Sequence, residues 1–272
     1  MKEELGIYVH IPFCKQKCYY CDFVSFAGSE EREEKYIEVL KKEICLNKEK
    51  GKDYRVTTIY IGGGTPSYID SKAIVSVLDT IKGNYAVEKE AEITIEVNPG
   101  TVTKEKLEDY QKAGINRLSI GLQSADNVIL KQIGRIHTYE EFLETYSLAR
   151  KIGFTNINVD LMLALPSQTE EILQDSLEKV IQLNPEHISL YSLIVEEDTP
   201  LATLLEEKQT LPDEEMERNM YWNTKKILEK NGYIHYEISN FAKPNKRIQT
   251  QPKLLEPKTI PRFWAFCSFL LP

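Results

Sequence analysis

Basic residues are in deficit in this chain. Its 34 Lys and Arg stand against 42 Asp and Glu, a formal net charge of -8. Non-specific nucleic-acid binding relies on many Lys and Arg neutralising phosphates, so this balance argues against a nucleic-acid partner. A small basic pocket is still compatible with it. Long hydrophobic runs are missing as well. No segment approaches the roughly 20 apolar residues of a membrane helix, so no membrane span is expected. The apolar stretch Leu5 to Phe13 follows Glu3 and Glu4, contains His10 and lacks a small-residue cleavage site, which argues against a secretory signal. Cysteine is sparse: 5 in 272 residues, an odd number. That is not the disulfide framework of a secreted domain, and a reduced, cytoplasmic compartment is expected.

What is there is a periodic pattern long enough for one substantial core. Short apolar runs with strand character recur at Gly6 to Ile11, Thr57 to Ile61, Glu92 to Val97, Arg117 to Leu122, Asn156 to Leu161 and His187 to Leu193. They alternate only weakly, as strands buried on both faces do. Helical spacing lies between them: around Ile37, Leu40 and Ile44, then Ser71 to Ile81, Thr103 to Ala113, Thr138 to Ile152 and Thr169 to Leu183. Thr103 and Thr169 stand where N-caps belong, and Gly114 and Gly153 where C′ residues belong. The alternation predicts parallel strands joined by right-handed crossovers, an α/β fold of about the size of an α/β barrel. A partial (β/α)6 TIM-like barrel and a doubly wound sheet fit it nearly equally. The polar residues favour the barrel. Cys14, Gly62, Glu96, Gln123 and Asp160 fall at or just beyond strand C-termini, the edge where a barrel gathers its functional groups.

Three of the cysteines form CxxxCxxC directly after the first strand, within YVHIPFCKQKCYYCDF. Iron–sulfur clusters usually take four thiolates, and three local ones leave an iron open. The competing reading is a zinc-stabilised binding module, with His10 joining Cys14, Cys18 and Cys21 in a Cys₃His set. Zinc cysteines more often come as two separated pairs, which favours iron. Cys45, beside Ile44 in a helix, reads as a buried structural thiol. His137, His187 and His235 read as structural, the acidic stretches Glu30 to Glu34 and Asp213 to Glu217 as solvated helix starts, and Trp222 and Ile227 as helix core.

With an aromatic before its last cysteine, the motif resembles the signature of the radical S-adenosylmethionine superfamily. The ordered segments IGGGTPS, EVNP, RLSIGLQS, NVDLMLALP and YEISNFA resemble the branch that contains oxygen-independent coproporphyrinogen III oxidase and haem chaperones of the HemW type. The resemblance runs from about Ile7 to Ala242. It implies a 4Fe–4S cluster on Cys14, Cys18 and Cys21, whose open iron chelates S-adenosyl-L-methionine, with sulfonium cleavage giving a deoxyadenosyl radical. It further implies S-adenosylmethionine contacts from Tyr8, Tyr20, Gly63, Gly64, Thr65, Glu96, Gln123, Arg135 and Asp160. The chemistry of these residues suits such contacts. Glycines admit a ligand to the backbone, carboxylates take hydroxyls or an ammonium, and Arg forks a carboxylate.

Oxidases of this branch carry a further cysteine two residues after the third; here Phe23 stands there, after Asp22. The CDF ending resembles the haem-chaperone side, which implies haem or porphyrin as ligand, a client protein that receives haem, and an electron donor. Oxidative decarboxylation of coproporphyrinogen is the alternative. After Arg247 the pattern breaks into QTQPKLLEPKTIPRFWAFCSFLLP. The family continues here with His-Asn-x-x-Tyr-Trp, and allowed codons from Thr250, read one nucleotide later, spell His-Asn-Leu-Asn-Tyr-Trp. The expectation is therefore a core domain over 1–242 with its following helical segment, an out-of-frame tail over 243–272, and a missing C-terminal domain.

Overall fold

The computed structural model describes residues 2–27, 30–207 and 211–249. The chain divides into two compact units, one comprising the residues up to Lys15, Phe23–Leu118 and those from Ile248, the other Gln16–Asp22 and Ser119–Arg247. The first unit carries β1 (Glu3–Ile11), β2 (Phe13–Cys14), β3 (Phe26–Ala27), α1 (Glu30–Leu46), β4 (Tyr54–Gly63), α2 (Ser71–Asn84), β5 (Val87–Val97) and α3 (Lys104–Lys112). The division falls inside β6 (Arg117–Gln123). The second unit continues with α4 (Asn127–Gln132), α5 (Tyr139–Ile152), β7 (Ile157–Leu163), α6 (Glu170–Leu183), β8 (His187–Ser192), α7 (Pro200–Glu207), α8 (Glu214–Lys230), β9 (Ile234–His235) and β10 (Asn240–Ala242).

The strand–helix alternation read from the sequence is present, and the pairing is parallel as expected. In the first unit β4 pairs in parallel with β1 on one side and β5 on the other. In the second, β7 and β8 are parallel, and β10 closes antiparallel on β8. One face of each main strand is packed with aliphatic side chains such as Ile59, Ile61, Ile93, Ile95, Leu118, Ile120, Val159 and Leu161, all buried. Their burial under the helices drives the fold. The opposite face is polar: Thr58, Tyr60 and Gly62 alternate on β4, and Asn158 and Asp160 on β7.

The helix boundaries follow local chemistry. Thr103 and Thr169 accept hydrogen bonds from Lys106 N and Ile172 N at the starts of α3 and α6. Thr138 and Glu141 form a reciprocal capping box on α5. Gly153 ends α5 at φ 112°, a left-handed position that glycine adopts without a Cβ penalty.

Two expectations are corrected. Cys45 is exposed on α1, because the buried stripe of that helix is Tyr36, Ile37 and Leu40. Trp222 is 49% exposed, with Lys225 Nζ 5.2 Å from its ring centre. The core stripe of α8 is Met220, Thr224 and Leu228, which leaves Trp222 and Ile227 off its centre. Residues 250–272 of the proposed tail, Cys267 among them, lie outside the described residues.

Candidate cofactor-binding site

In the first unit, the chain leaves β1 at Ile11 and enters Cys14 through Pro12 and Phe13. The glycine turn after β4 is stapled to this segment: Gly64 N donates to Ile11 O and Thr65 N to Phe13 O, each at 2.8 Å. Thr65 Oγ1 reaches Cys14 Sγ at 3.5 Å. This close approach depends on missing side chains. A Cβ on Gly64 would lie 2.9 Å from Cys14 Sγ, and one on Gly63, at φ +117°, would lie 2.7 Å from the His10 ring. Glu96, at the end of β5, is held by both carboxylate oxygens. Tyr60 OH donates to Oε1 at 2.9 Å and Gly63 N to Oε2 at 3.0 Å. A Cβ on Gly62 would meet that carboxylate at 2.8 Å.

Tyr8 stacks on Tyr60 with ring centres 6.2 Å apart. His10 Nε2 lies 2.9 Å from the carbonyl of Val24, so in the neutral ring that nitrogen carries the proton. Nδ1 then accepts from Tyr8 OH at 3.0 Å. Both ring nitrogens of His10 are thus hydrogen-bonded within the first unit. Among the described residues, no three or more His, Cys, Asp or Glu side chains are already drawn together as a metal site.

The second unit holds Cys18, Tyr20, Cys21, Gln123, Arg135 and Asp160. Cys18 and Cys21 are half-buried thiols outside any disulfide, on a turn closed by Cys21 N donating to Cys18 O. Arg135 Nη1 points to Cys18 Sγ at 3.7 Å, and Nη2 donates to the carbonyl of Gly121. Gly121 gives this cation room, since a Cβ there would lie 3.0 Å from both Arg135 Nη2 and Gln123 Nε2. Gln123 ends β6 at φ 72°, a left-handed conformation that costs a non-glycine residue energy and recurs at functional sites. Tyr20 packs on the cluster Ile129, Ile133, Met162 and Leu165. Burial raises its phenol pKa, and the neighbouring Arg135 opposes that rise. Arg135 keeps its charge firmly: burial works against it, but Tyr20 and Cys18 beside it hold its pKa above the ordinary value. Asp160 receives Asn158 Nδ2 on Oδ1 at 2.7 Å and Ser119 Oγ on Oδ2 at 3.1 Å.

His137, two residues after Arg135, is buried at 3% exposure. Burial, with the adjacent Arg135 charge, pushes its pKa down to about 3. The unfolded chain regains the ordinary value of about 6.5, so below that pH it binds a proton that the native ring refuses. Stability is therefore lost as pH falls from about 6.5 toward 3, at about 1.4 kcal/mol per unit from this residue. His137→Leu is expected to remove about 2 kcal/mol of the stability loss between pH 7 and pH 5. Urea denaturation of both proteins at the two pH values measures it, and equal pH dependence refutes it.

Each unit thus gathers its own share of the residues singled out from sequence: Tyr8, Cys14, Gly63, Gly64, Thr65 and Glu96 in one, Cys18, Tyr20, Cys21, Gln123, Arg135 and Asp160 in the other. Sequence reasoning missed the residues that hold them. Tyr60 and Gly62 were legible in principle, since strand alternation puts them on one face of β4. Ser119 and Asn158 lie on the polar faces of their strands in the same way. The pairing of His10 with Tyr8 and Val24 carried no such signal.

Comparison with known proteins identifies the family. The family model described as the radical SAM superfamily matches residues 8–180. The Heme chaperone HemW of Escherichia coli (strain K12) is 39% identical over 246 residues, covering 90% of this chain and 64% of its own length. The mitochondrial Radical S-adenosyl methionine domain-containing protein 1 of Danio rerio is 38% identical, covering 89% of this chain and 55% of its own. This chain therefore spans less than two thirds of the length of these relatives. Among solved structures, coproporphyrinogen III oxidase (HemN) from Escherichia coli, a radical SAM enzyme, superposes with a TM-score of 0.81 at 29% identity, covering 90% of this chain and 56% of that one. The α/β fold class expected from the sequence is the one this likeness shows. With a family model spanning well over half its residues, and relatives near 39% identity matched along nine-tenths of it, the chain belongs to the radical S-adenosylmethionine superfamily.

Proposed function

We propose that Cys14, Cys18 and Cys21 hold a 4Fe–4S cluster whose open iron takes S-adenosylmethionine. We further propose that the chain acts in the cytoplasm as a haem-chaperone-like protein, binding haem or porphyrin and passing it to a client protein. The observation that carries this reading is the 39% identity along 90% of the chain to a protein named as a haem chaperone. Phe23, 70% exposed where the oxidase motif has a cysteine, supports the same side of the branch. No helix among the described residues is long and apolar enough to cross a membrane.

The residues present fit the cofactors. Three thiols outside any disulfide suit iron, with Thr65 Oγ1 directed at one sulfur and Arg135 at another. Such hydrogen bonds and charges help to set the potential of a cluster. A Cβ at Gly64 would meet Phe13 O and Cys14 Sγ, so the glycine turn lies directly against the segment that carries Cys14. Glu96, Gln123, Arg135 and Asp160 supply acceptors and a cation for an amino acid and a ribose, and Tyr8 and Tyr20 supply aromatic surface. When bound, the cluster supplies the electron, drawn from an external donor, that cleaves the sulfonium. The protein orients the ligand and keeps the Glu96 and Asp160 carboxylates fixed.

The likeness to coproporphyrinogen III oxidase supports a second reading, oxidative decarboxylation. Anaerobic reconstitution with iron and sulfide separates the two. Haem retained and then transferred to an apo-haemoprotein, with no vinyl product from coproporphyrinogen, is expected. Vinyl formation without haem retention establishes the oxidase, and stoichiometric zinc without iron establishes a binding module.

A further inference from the structure

His187 is the most buried histidine of the chain, at 0% exposure. Its hydrogen bonds lead to Asp160. Asn158 donates with both Nδ2 protons, to Asp160 Oδ1 at 2.7 Å and to Ser119 Oγ at 2.8 Å. The Asp160 charge fixes that amide orientation, since a flipped amide would set its carbonyl against the carboxylate. Asn158 Oδ1 is then turned away and must find donors. It finds His187 Nδ1 at 2.6 Å. A carbonyl only accepts, so Nδ1 of the neutral His187 ring carries the proton. Nε2 is left as an acceptor, and Tyr236 OH stands 2.7 Å from it to donate. Ser189 Oγ lies 2.7 Å from Asn240 Oδ1, a second tie to the same C-terminal segment.

The geometry points to Tyr236 and His187 as positioning residues for Asp160, acting through Asn158. The chain of donors runs one way: Tyr236 OH to His187, His187 to Asn158, Asn158 to Asp160. It fixes the tautomer of a buried ring and, through it, the orientation of the carboxylate. This assignment deepens the reading of Asp160 as an S-adenosylmethionine contact and rests on it. It gives part of the YEISNFA segment, remote in sequence from the other site residues, a role in cofactor binding. Losing the Tyr236 hydroxyl leaves Nε2 a buried acceptor without its donor, or lets the ring change tautomer and turn the Asn158 amide. Either outcome loosens Asp160.

The test uses the cluster-reconstituted protein with labelled histidine. In the unchanged protein, ¹⁵N signals of His187 should show Nδ1 protonated and Nε2 not; the reverse tautomer overturns the proposal even if every variant misfolds. Tyr236→Phe should weaken S-adenosylmethionine binding about tenfold in anaerobic calorimetry, shift the His187 ring signals and leave the circular dichroism unchanged. In an Asp160→Asn background the same change should have no further effect. Tyr236→Phe binding like the unchanged protein, while Asp160→Asn binds weakly, sinks the relay and leaves the reading of Asp160 intact. Equal weakening in both backgrounds also sinks it, by showing another route. An Asp160→Asn protein with full affinity removes the parent reading, and the relay with it.

Discussion

Alanine at Cys14, Cys18 or Cys21, one at a time, is expected to cost the anaerobically reconstituted protein about nine-tenths of its visible iron–sulfur absorbance, because two protein thiolates are too few to anchor a cluster. Cys45→Ala is the control. That thiol is exposed on α1, with Asn84 Nδ2 at 3.7 Å as its neighbour, and its loss should leave colour and iron content unchanged. The three site variants should differ in stability. Cys14 is buried and receives Thr65 Oγ1, so its replacement also removes packing. Cys18 and Cys21 are half-buried, and their replacement should barely move the denaturation midpoint. Cluster loss at Cys18 and Cys21 without loss of fold therefore isolates ligation from structure. A Cys21→Ala protein that keeps its colour and its full iron content would end the three-thiolate assignment.

The strands and helices were legible because their cues are local and repeated. Thr103 and Thr169 announced helix starts through side-chain oxygens that the structure finds on the backbone, and Gly153 announced a helix end that demands positive φ. The cysteine loop was legible because a metal motif sets ligand spacing within one short segment. Where the reading failed, the cue was one of phase. Cys45 and Trp222 sit next to apolar residues in sequence but on the far side of their helices from the buried stripe, so adjacency misplaced both. His187 was read as a satisfied structural histidine, and it is satisfied. Its partners Asn158 and Tyr236 lie 29 and 49 residues away, and no local pattern could connect them. The same holds for the grip of Tyr60 on Glu96 across 36 residues. The candidate ligands stood out by residue type and spacing, whereas the residues bonded to them became visible only once strand register was known.

Gly64→Ala is the single-methyl change expected to do most damage. The added Cβ would sit 2.8 Å from Phe13 O, 3.0 Å from Pro12 C and 2.9 Å from Cys14 Sγ. Two of those three atoms are backbone, so no side-chain rotation relieves the clash. The glycine turn and the segment leading to Cys14 must separate, which strains the Gly64 N to Ile11 O and Thr65 N to Phe13 O bonds that hold them together. Losing two such bonds, with their buried groups left poorly paired, is expected to cost about 2–4 kcal/mol in chemical denaturation. The functional loss should be larger than the stability loss. The same movement withdraws Thr65 from Cys14 and the Gly63 amide from Glu96, so S-adenosylmethionine affinity should fall well over tenfold, even in the fraction that retains its cluster. Gly83→Ala supplies the contrast, because a Cβ there meets nothing within 4 Å and the position lies inside α2. Alanine is the better helix former, so that variant should be about 0.5–1 kcal/mol more stable and bind the cofactor normally. If Gly64→Ala reconstitutes and binds as well as Gly83→Ala, the turn after β4 is not the cofactor cradle.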